Sequence, residues 1–214
     1  MDTTPILATA YLPPIEYFTF LMQGEIWLEQ HEAFHKQSYR NRAYIQSGNG
    51  KQLLSIPIIN GAGYFPIAEA RIDYKTPWQR NHWRSIASAY GNSPYFMYYQ
   101  DELRPFYEQK TDSLFEYNLK LMKTILKLMR MPCDIKLTSS LQPKQNFDLR
   151  TEIHPKKSFS DDYLFKLTHP YYQVFEDRFG FEPNLSIIDL LFNLGPDTAK
   201  YLQDNLLAYK EKFQ

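Results

Sequence analysis

His35-Lys36-Gln37-Ser38-Tyr39-Arg40-Asn41-Arg42 gathers two guanidinium groups, an ammonium and an imidazole into eight positions flanked by apolar, strand-like runs. Such a cluster is costly unless something polar binds it, and its residue types suit an anion. Arginine offers phosphate or carboxylate a planar fork of donors, and lysine adds a point charge. In an extended chain the period of two puts Lys36, Arg40 and Arg42 on one face and Asn41 on the other. The competing explanation is a solvated strand entrance whose charges form ordinary surface ion pairs. Tyr17 and Tyr39, with polar tips on apolar bodies, join the candidate substrate or anion site.

Proton transfer falls to His35 and His82, which titrate near neutral pH when unperturbed. His82 lies one helical turn after Trp78 and one before Ile86, so it faces the apolar side, where a lone histidine is more often structural. Arg80, Asn81 and Arg84 bring donors to the same helix, and Arg84 with Asp101 would orient or neutralise nearby groups. His31-Glu32-Ala33-Phe34-His35 has the spacing of a zinc-binding HExxH, but it follows a strand-like run and precedes a polar loop, not a long amphipathic helix. No metal is assigned on it, and no cofactor is identified. Cys133 has no adjacent base and reads as a small core hydrophobe. Asp189 and Asn193, four apart on an apolar helix, must find partners if buried. His154 and His169, each beside a proline, fall in turns.

The elements that position these groups follow from periodicity and punctuation. Ile6 to Leu12 is a short apolar strand stopped by Pro13-Pro14, Ile15 to Gln23 a helix ended by Gly24, and Glu25 to His31 an alternating strand. This is the minimal parallel β-α-β unit, which binds ligands outside the strands' carboxyl ends, here around Tyr11 to Tyr17 and His31 to Lys36. Arg42 to Gln46 and Leu53 to Ile58 form a hairpin around Ser47-Gly48-Asn49-Gly50-Lys51. Ala68 to Ile72 is a further short strand. Thr76 caps a helix that opens at Pro77 and runs to Tyr90, and Ser93-Pro94 opens a second, bent at Pro105. Asp112 to Met131 is a long amphipathic helix, and Asp134 to Leu141 returns as a strand. Residues 142–160 are a loop. Three helices follow, at Tyr171 to Phe179, Ile187 to Leu194 and Asp197 to Phe213. The expected fold is α/β, a Rossmann-like parallel or mixed sheet core over about 1–141 with a helical C-terminal region over about 161–214, in a single domain.

Lysine and arginine together number 24, as do aspartate and glutamate, so no broad basic surface exists for nucleic acid or anionic membrane. The 17 tyrosines suit sugar or nucleotide pockets and protein interfaces, or the wet margin of a core. No basic N-terminal segment leads into an apolar core, and no apolar run reaches the roughly 20 residues of a membrane span, which predicts a cytoplasmic protein. The apolar C-terminal helices offer a face for a homodimer.

Nearly the whole chain resembles the WbqC-like proteins, which are associated with surface-polysaccharide clusters and common in gut bacteria. The likeness rests on Tyr11-Leu12-Pro13-Pro14 with Tyr17-Phe18, on Lys36, Tyr39, Asn41 and Arg42, and on His82 through Ser93-Pro94-Tyr95-Phe96. Asn184-Leu185-Ser186-Ile187-Ile188-Asp189-Leu190-Leu191-Phe192-Asn193-Leu194-Gly195 completes it. Thr9-Ala10 and Glu16 depart from the family's Gln-Pro pair and glycine. The resemblance implies a group-transfer enzyme, a transferase of O-antigen or other surface-carbohydrate biosynthesis, acting on an anionic small molecule, nucleotide-linked or acyl-activated. A non-catalytic sugar- or protein-binding module of polysaccharide assembly is the alternative.

Overall fold

The computed structural model of the chain describes residues 4–59, 65–144, 147–157 and 169–213. Strand β1 (Ile6–Ala8) leads through a tight turn into helix α1 (Ile15–Leu21), and Gly24, at φ 86°, turns the chain into β2 (Glu25–Glu29). The strand expected to reach Leu12 stops at Ala8. Leu12 takes a left-handed φ of 39° before the two prolines, and a strand cannot run through that. All seven residues of α1 are buried. Pro14 has no side chain to cap the helix, so the distant Asn184 Oδ1 accepts from the Glu16 N–H and the Leu185 carbonyl from the Ile15 N–H. Ser186 also bridges Pro14, so the C-terminal motif clamps the turn that follows β1.

The α/β class holds, with a small sheet. Helix α4 (Leu114–Leu128), amphipathic and capped by the Ser113 hydroxyl, delivers β5 (Asp134–Leu137), and the three strands lie parallel in the order β1-β2-β5. On the other edge of β1, Ile6 pairs with Asp148. β1 is thus flanked on one edge by β2 and on the other by the 147–149 segment.

The expected hairpin is present as β3 (Arg42–Ser47) and β4 (Gly50–Ser55), antiparallel in a separate sheet, with Gly48-Asn49 as its two-residue turn. Helices α2 (Trp78–Tyr90) and α3 (Phe96–Leu103) follow. Thr76 does not cap α2: the cap position is Pro77, with no side-chain hydrogen bond. Ile67–Glu69, overlapping the start of the expected strand at 68–72, forms a 3-10 turn, and of that strand only Arg71 and Ile72 make isolated bridges. In the expected helix 171–179 only Glu176–Phe179 (α5) is helical, because Tyr171 and Gln173 are drawn aside to bond Asp189. Helices α6 (Ile187–Leu194) and α7 (Thr198–Phe213) close the chain. Gly195, between them, is at φ 55°, and a Cβ there would stand 2.5 Å from the Tyr95 ring. One hydrophobic cluster joins Leu7, Phe18, Ile45, Leu121, Phe192 and Leu206.

Candidate functional site

The cationic stretch is a built turn. Ser38, buried, donates its hydroxyl to the His35 carbonyl at 2.6 Å and accepts from the Arg40 N–H, an arrangement that competes with a strand ladder. The Tyr39 carbonyl accepts from the Tyr11 N–H, and the Arg40 carbonyl accepts from Asn118 Nδ2. Arg40 itself points inward. Only 4% exposed, it grips Glu32 with both arms of its fork, Nε to Oε1 at 2.9 Å and Nη2 to Oε2 at 2.6 Å.

The shared face expected for Lys36, Arg40 and Arg42 is therefore corrected: the turn separates Arg40 from the other two. Lys36, Asn41 and Arg42 line an open cleft of about 330 Å³ with Phe34, Gln37 and Ser55 to Ile58. Asn41 donates Nδ2 to the Ile56 carbonyl at 2.8 Å, which fixes the orientation of its amide. Its Oδ1 and the Nε of Arg42 are buried without a partner. Each of the two atoms exposes under 1 Å², so it is shielded from the cleft as well as from the chain's polar groups. Neither Lys36 nor Arg42 forms an ion pair among the described residues. Gln37, on the rim, holds a left-handed φ of 57°, a conformation a glutamine adopts at a cost.

On the inner side of the turn lies a cavity of about 10 Å³ at the carboxyl end of β1, walled by Ala8 to Ala10, Tyr17, Tyr39, Arg40, Leu149 and Ile153. It has room for roughly one water molecule. Tyr17 donates its hydroxyl to the Ala8 carbonyl, and burial pushes its pKa far up. At the end of β2, Glu29 is fully buried and accepts from Thr138, from the backbone N–H groups of His31 and Gln142, and from Arg150. Burial pushes its carboxyl up, but the bonds from Gln142, His31 and Thr138 and the Arg150 charge together hold it below the ordinary value. Glu32 lies the other way: burial raises it despite the opposing Arg40 charge. Arg150 also chelates Asp148, closing this network against solvent.

His82 is 7% exposed, between Tyr11, whose hydroxyl meets its Nδ1 at 3.0 Å, and the Trp78 ring. Burial depresses it to about 4, against a raising hydrogen bond to the Ser55 backbone, so it is neutral at pH 7. Arg84 is exposed, about half a helical turn from His82, and pairs with no carboxylate among the described residues. His35 is exposed. Partial desolvation and the Arg40 charge lower it, and it shares that field with His154. Its neighbours Phe34 and Lys36 line the cleft while His35 does not. Cys133, half-buried, has its thiol pushed up to about 11 by desolvation and by Asp134 and Glu25.

Sequence reasoning missed Glu29 and Arg150, met Glu16 only as a departure from the family's glycine, and met Glu32 only as part of a zinc-like spacing. Glu16, 4% exposed in the first turn of α1, is raised by burial to about 7, with Asn184 and the Lys157 charge opposing. Its signal was present: a carboxylate at a position otherwise flanked by Ile15, Tyr17 and Phe18 on a helix without a polar face. Nothing local announces Arg150, which meets Glu29 across 121 positions.

A small parallel β-α-β sheet, with a cationic turn clamped beside its carboxyl ends and an open cleft behind, defines an α/β protein. The chain belongs to the WbqC-like protein family, whose model matches residues 9–166 and 163–201. It is similar to the uncharacterized protein Rv1507c of Mycobacterium tuberculosis, 27% identical over 228 aligned positions that cover 95% of this chain and 98% of the relative. No solved structure matches it. Among the described residues no helix is long and apolar enough to cross a membrane.

Proposed function

We propose that the cleft of Lys36, Asn41 and Arg42 binds an anionic small molecule, nucleotide-linked or acyl-activated, and that the protein is a cytoplasmic group-transfer enzyme of surface-carbohydrate biosynthesis. The observation that carries the reading is that Lys36 and Arg42 both line an open cleft and neither forms an ion pair among the described residues. Fixed positive charge in a partly desolvated cleft stabilises charge that develops on a departing phosphate without reorganising first. His35, one residue from Lys36, is the accessible imidazole for proton transfer.

One observation favours a second reading, binding without turnover. Among the described residues the cleft lining contains no carboxylate or imidazole, and His82 is held in a buried aromatic cage. Thermal-shift screening against nucleotides, nucleotide sugars and acyl donors tests the shared core of both readings. A ligand at about 100 times its dissociation constant adds ~2.7 kcal/mol of stability. A screen in which no anion raises the melting temperature removes the cleft's assignment. Once a ligand is found, His35→Ala separates the readings: an enzyme loses turnover and keeps binding, and a binding module shows no turnover to lose.

A further inference from the structure

We infer that the cleft takes a terminal phosphoryl group, a phosphomonoester dianion, and that the Ser55 hydroxyl is the third arm of its seat beside Lys36 and Arg42. The inference rests on the anion-site reading above and narrows it, because a phosphate esterified on both sides carries a single charge. The seat follows from the hairpin register. Arg42 and Ser55 are direct cross-strand partners, so their side chains stand on one face of the hairpin. In the next pair along, the Ile56 N–H donates to the Asn41 carbonyl at 2.9 Å. Alternation makes Arg42 and Ser55 the non-hydrogen-bonded kind of pair, which brings side chains closer together.

Both residues line the cleft, and Lys36 reaches it from the turn. Nε is the shielded nitrogen of Arg42, whereas its two Nη groups and the Ser55 hydroxyl are neither shielded nor bonded among the described residues. Donors therefore face the cleft from two walls. The two oxygens of a carboxylate lie in one plane, but the three free oxygens of a phosphomonoester diverge, so an ammonium, a guanidinium and a hydroxyl can each meet one. Two cations with no carboxylate in the described lining suit a dianion, and a monoester carries about −1.5 to −2 charges at pH 7. The walls are also braced. Tyr11 donates its N–H to the Tyr39 carbonyl in the turn, and its hydroxyl meets Nδ1 of His82, whose ring bonds the Ser55 backbone. Asn41 ties the turn to the hairpin through the Ile56 carbonyl. Donors held in this way need little ordering when the ligand arrives.

The test is titration calorimetry of the full chain near neutral pH with methyl phosphate, dimethyl phosphate and acetate. Methyl phosphate is expected to bind about ten-fold or more tighter than either of the others. Ser55→Ala should weaken methyl phosphate roughly five-fold with the melting temperature unmoved, and Lys36→Ala should close the gap between monoester and diester, which a merely structural role would leave in place. At least one of glucose 1-phosphate and adenosine 3′-monophosphate should match methyl phosphate, and the tighter assigns the phosphoryl group to a sugar or to a coenzyme-bound acyl donor. If dimethyl phosphate or acetate binds as tightly as methyl phosphate, or both larger monoesters are rejected, the terminal-phosphoryl inference is overturned and the anion cleft stands. Unchanged binding in Ser55→Ala overturns the third arm. If no anion binds, the cleft's assignment falls with the inference.

Discussion

The two sides of the 35–41 turn are built from the same residue types and are opposite in kind. On the inner side, Arg40 has Glu32, Arg150 has Asp148 and Glu29, and the space left admits roughly one water molecule. On the outer side, Lys36 and Arg42 have no carboxylate among the described residues, and the space is some thirty-fold larger, about 330 Å³ against about 10 Å³. The comparison teaches that cationic residues alone do not mark a site. What separates a scaffold from a site is whether the charges are already answered. Here the answered side holds the unanswered one in place: Arg40, fastened by its side chain to Glu32 and by its carbonyl to Asn118, fixes the turn that carries Lys36 and Asn41.

The largest test of that division is Glu32→Ala, which strands Arg40 in the interior. Its expected cost is about 3–5 kcal/mol, read by denaturant unfolding. The double variant Glu32→Met with Arg40→Met should recover most of the loss, because an apolar pair leaves no buried charge. A cost under about 1 kcal/mol for Glu32→Ala would break the claim that the inner side is the scaffold.

Glu16, on the packed side, gives the next largest effect and a definite sign. Its folded pKa of about 7 exceeds the ordinary 4.5, so the folded chain holds the proton more tightly. Its contribution is present in full below about pH 4.5 and is lost as pH rises through about 7, by ~3 kcal/mol. Glu16→Gln should therefore raise the melting temperature at pH 8 and leave it little changed at pH 4. His82 slopes the other way. Depressed from 6.5 to about 4, it lends stability above 6.5 that disappears as pH falls toward 4. In the wild type the two trends oppose each other between about 4.5 and 6.5, and Glu16→Gln should expose the His82 acid loss alone.

Gln37→Gly relieves a left-handed backbone at the cleft rim and should stabilise the fold by about 1 kcal/mol at most, net of the entropy that glycine adds to the unfolded chain. Lys36→Ala should move stability least, within about 0.5 kcal/mol, while weakening anion binding. That split, binding lost with folding intact, is the signature expected of the outer side and not of the inner.

Much of this was legible in the sequence. Prolines 13 and 14, Gly24 and the apolar runs around them specify the β-α-β unit because they act locally, through φ restriction and periodicity. The hairpin was legible for the same reason. The cationic cluster was visible as a cluster, and its division was not. Alternation assumes an extended chain, whereas Ser38 ties its hydroxyl to the His35 carbonyl and folds the segment into a turn. Glu32, eight positions upstream, then takes Arg40 to the inner side. The partners that decide which charges are answered, Asn118, Arg150 and Asn184, lie far along the chain, and no local pattern couples them to the turn.

The most direct test of the division is a phosphate titration followed by amide chemical shifts in two-dimensional NMR of the full chain. The expected result is saturable perturbation confined to Lys36 through Arg42 and Ser55 through Ile58, absent in Arg42→Gln, with Ala8 to Ala10 and Leu149 to Ile153 unmoved. Perturbation centred on Leu149 to Ile153, or none at the cleft, would contradict it.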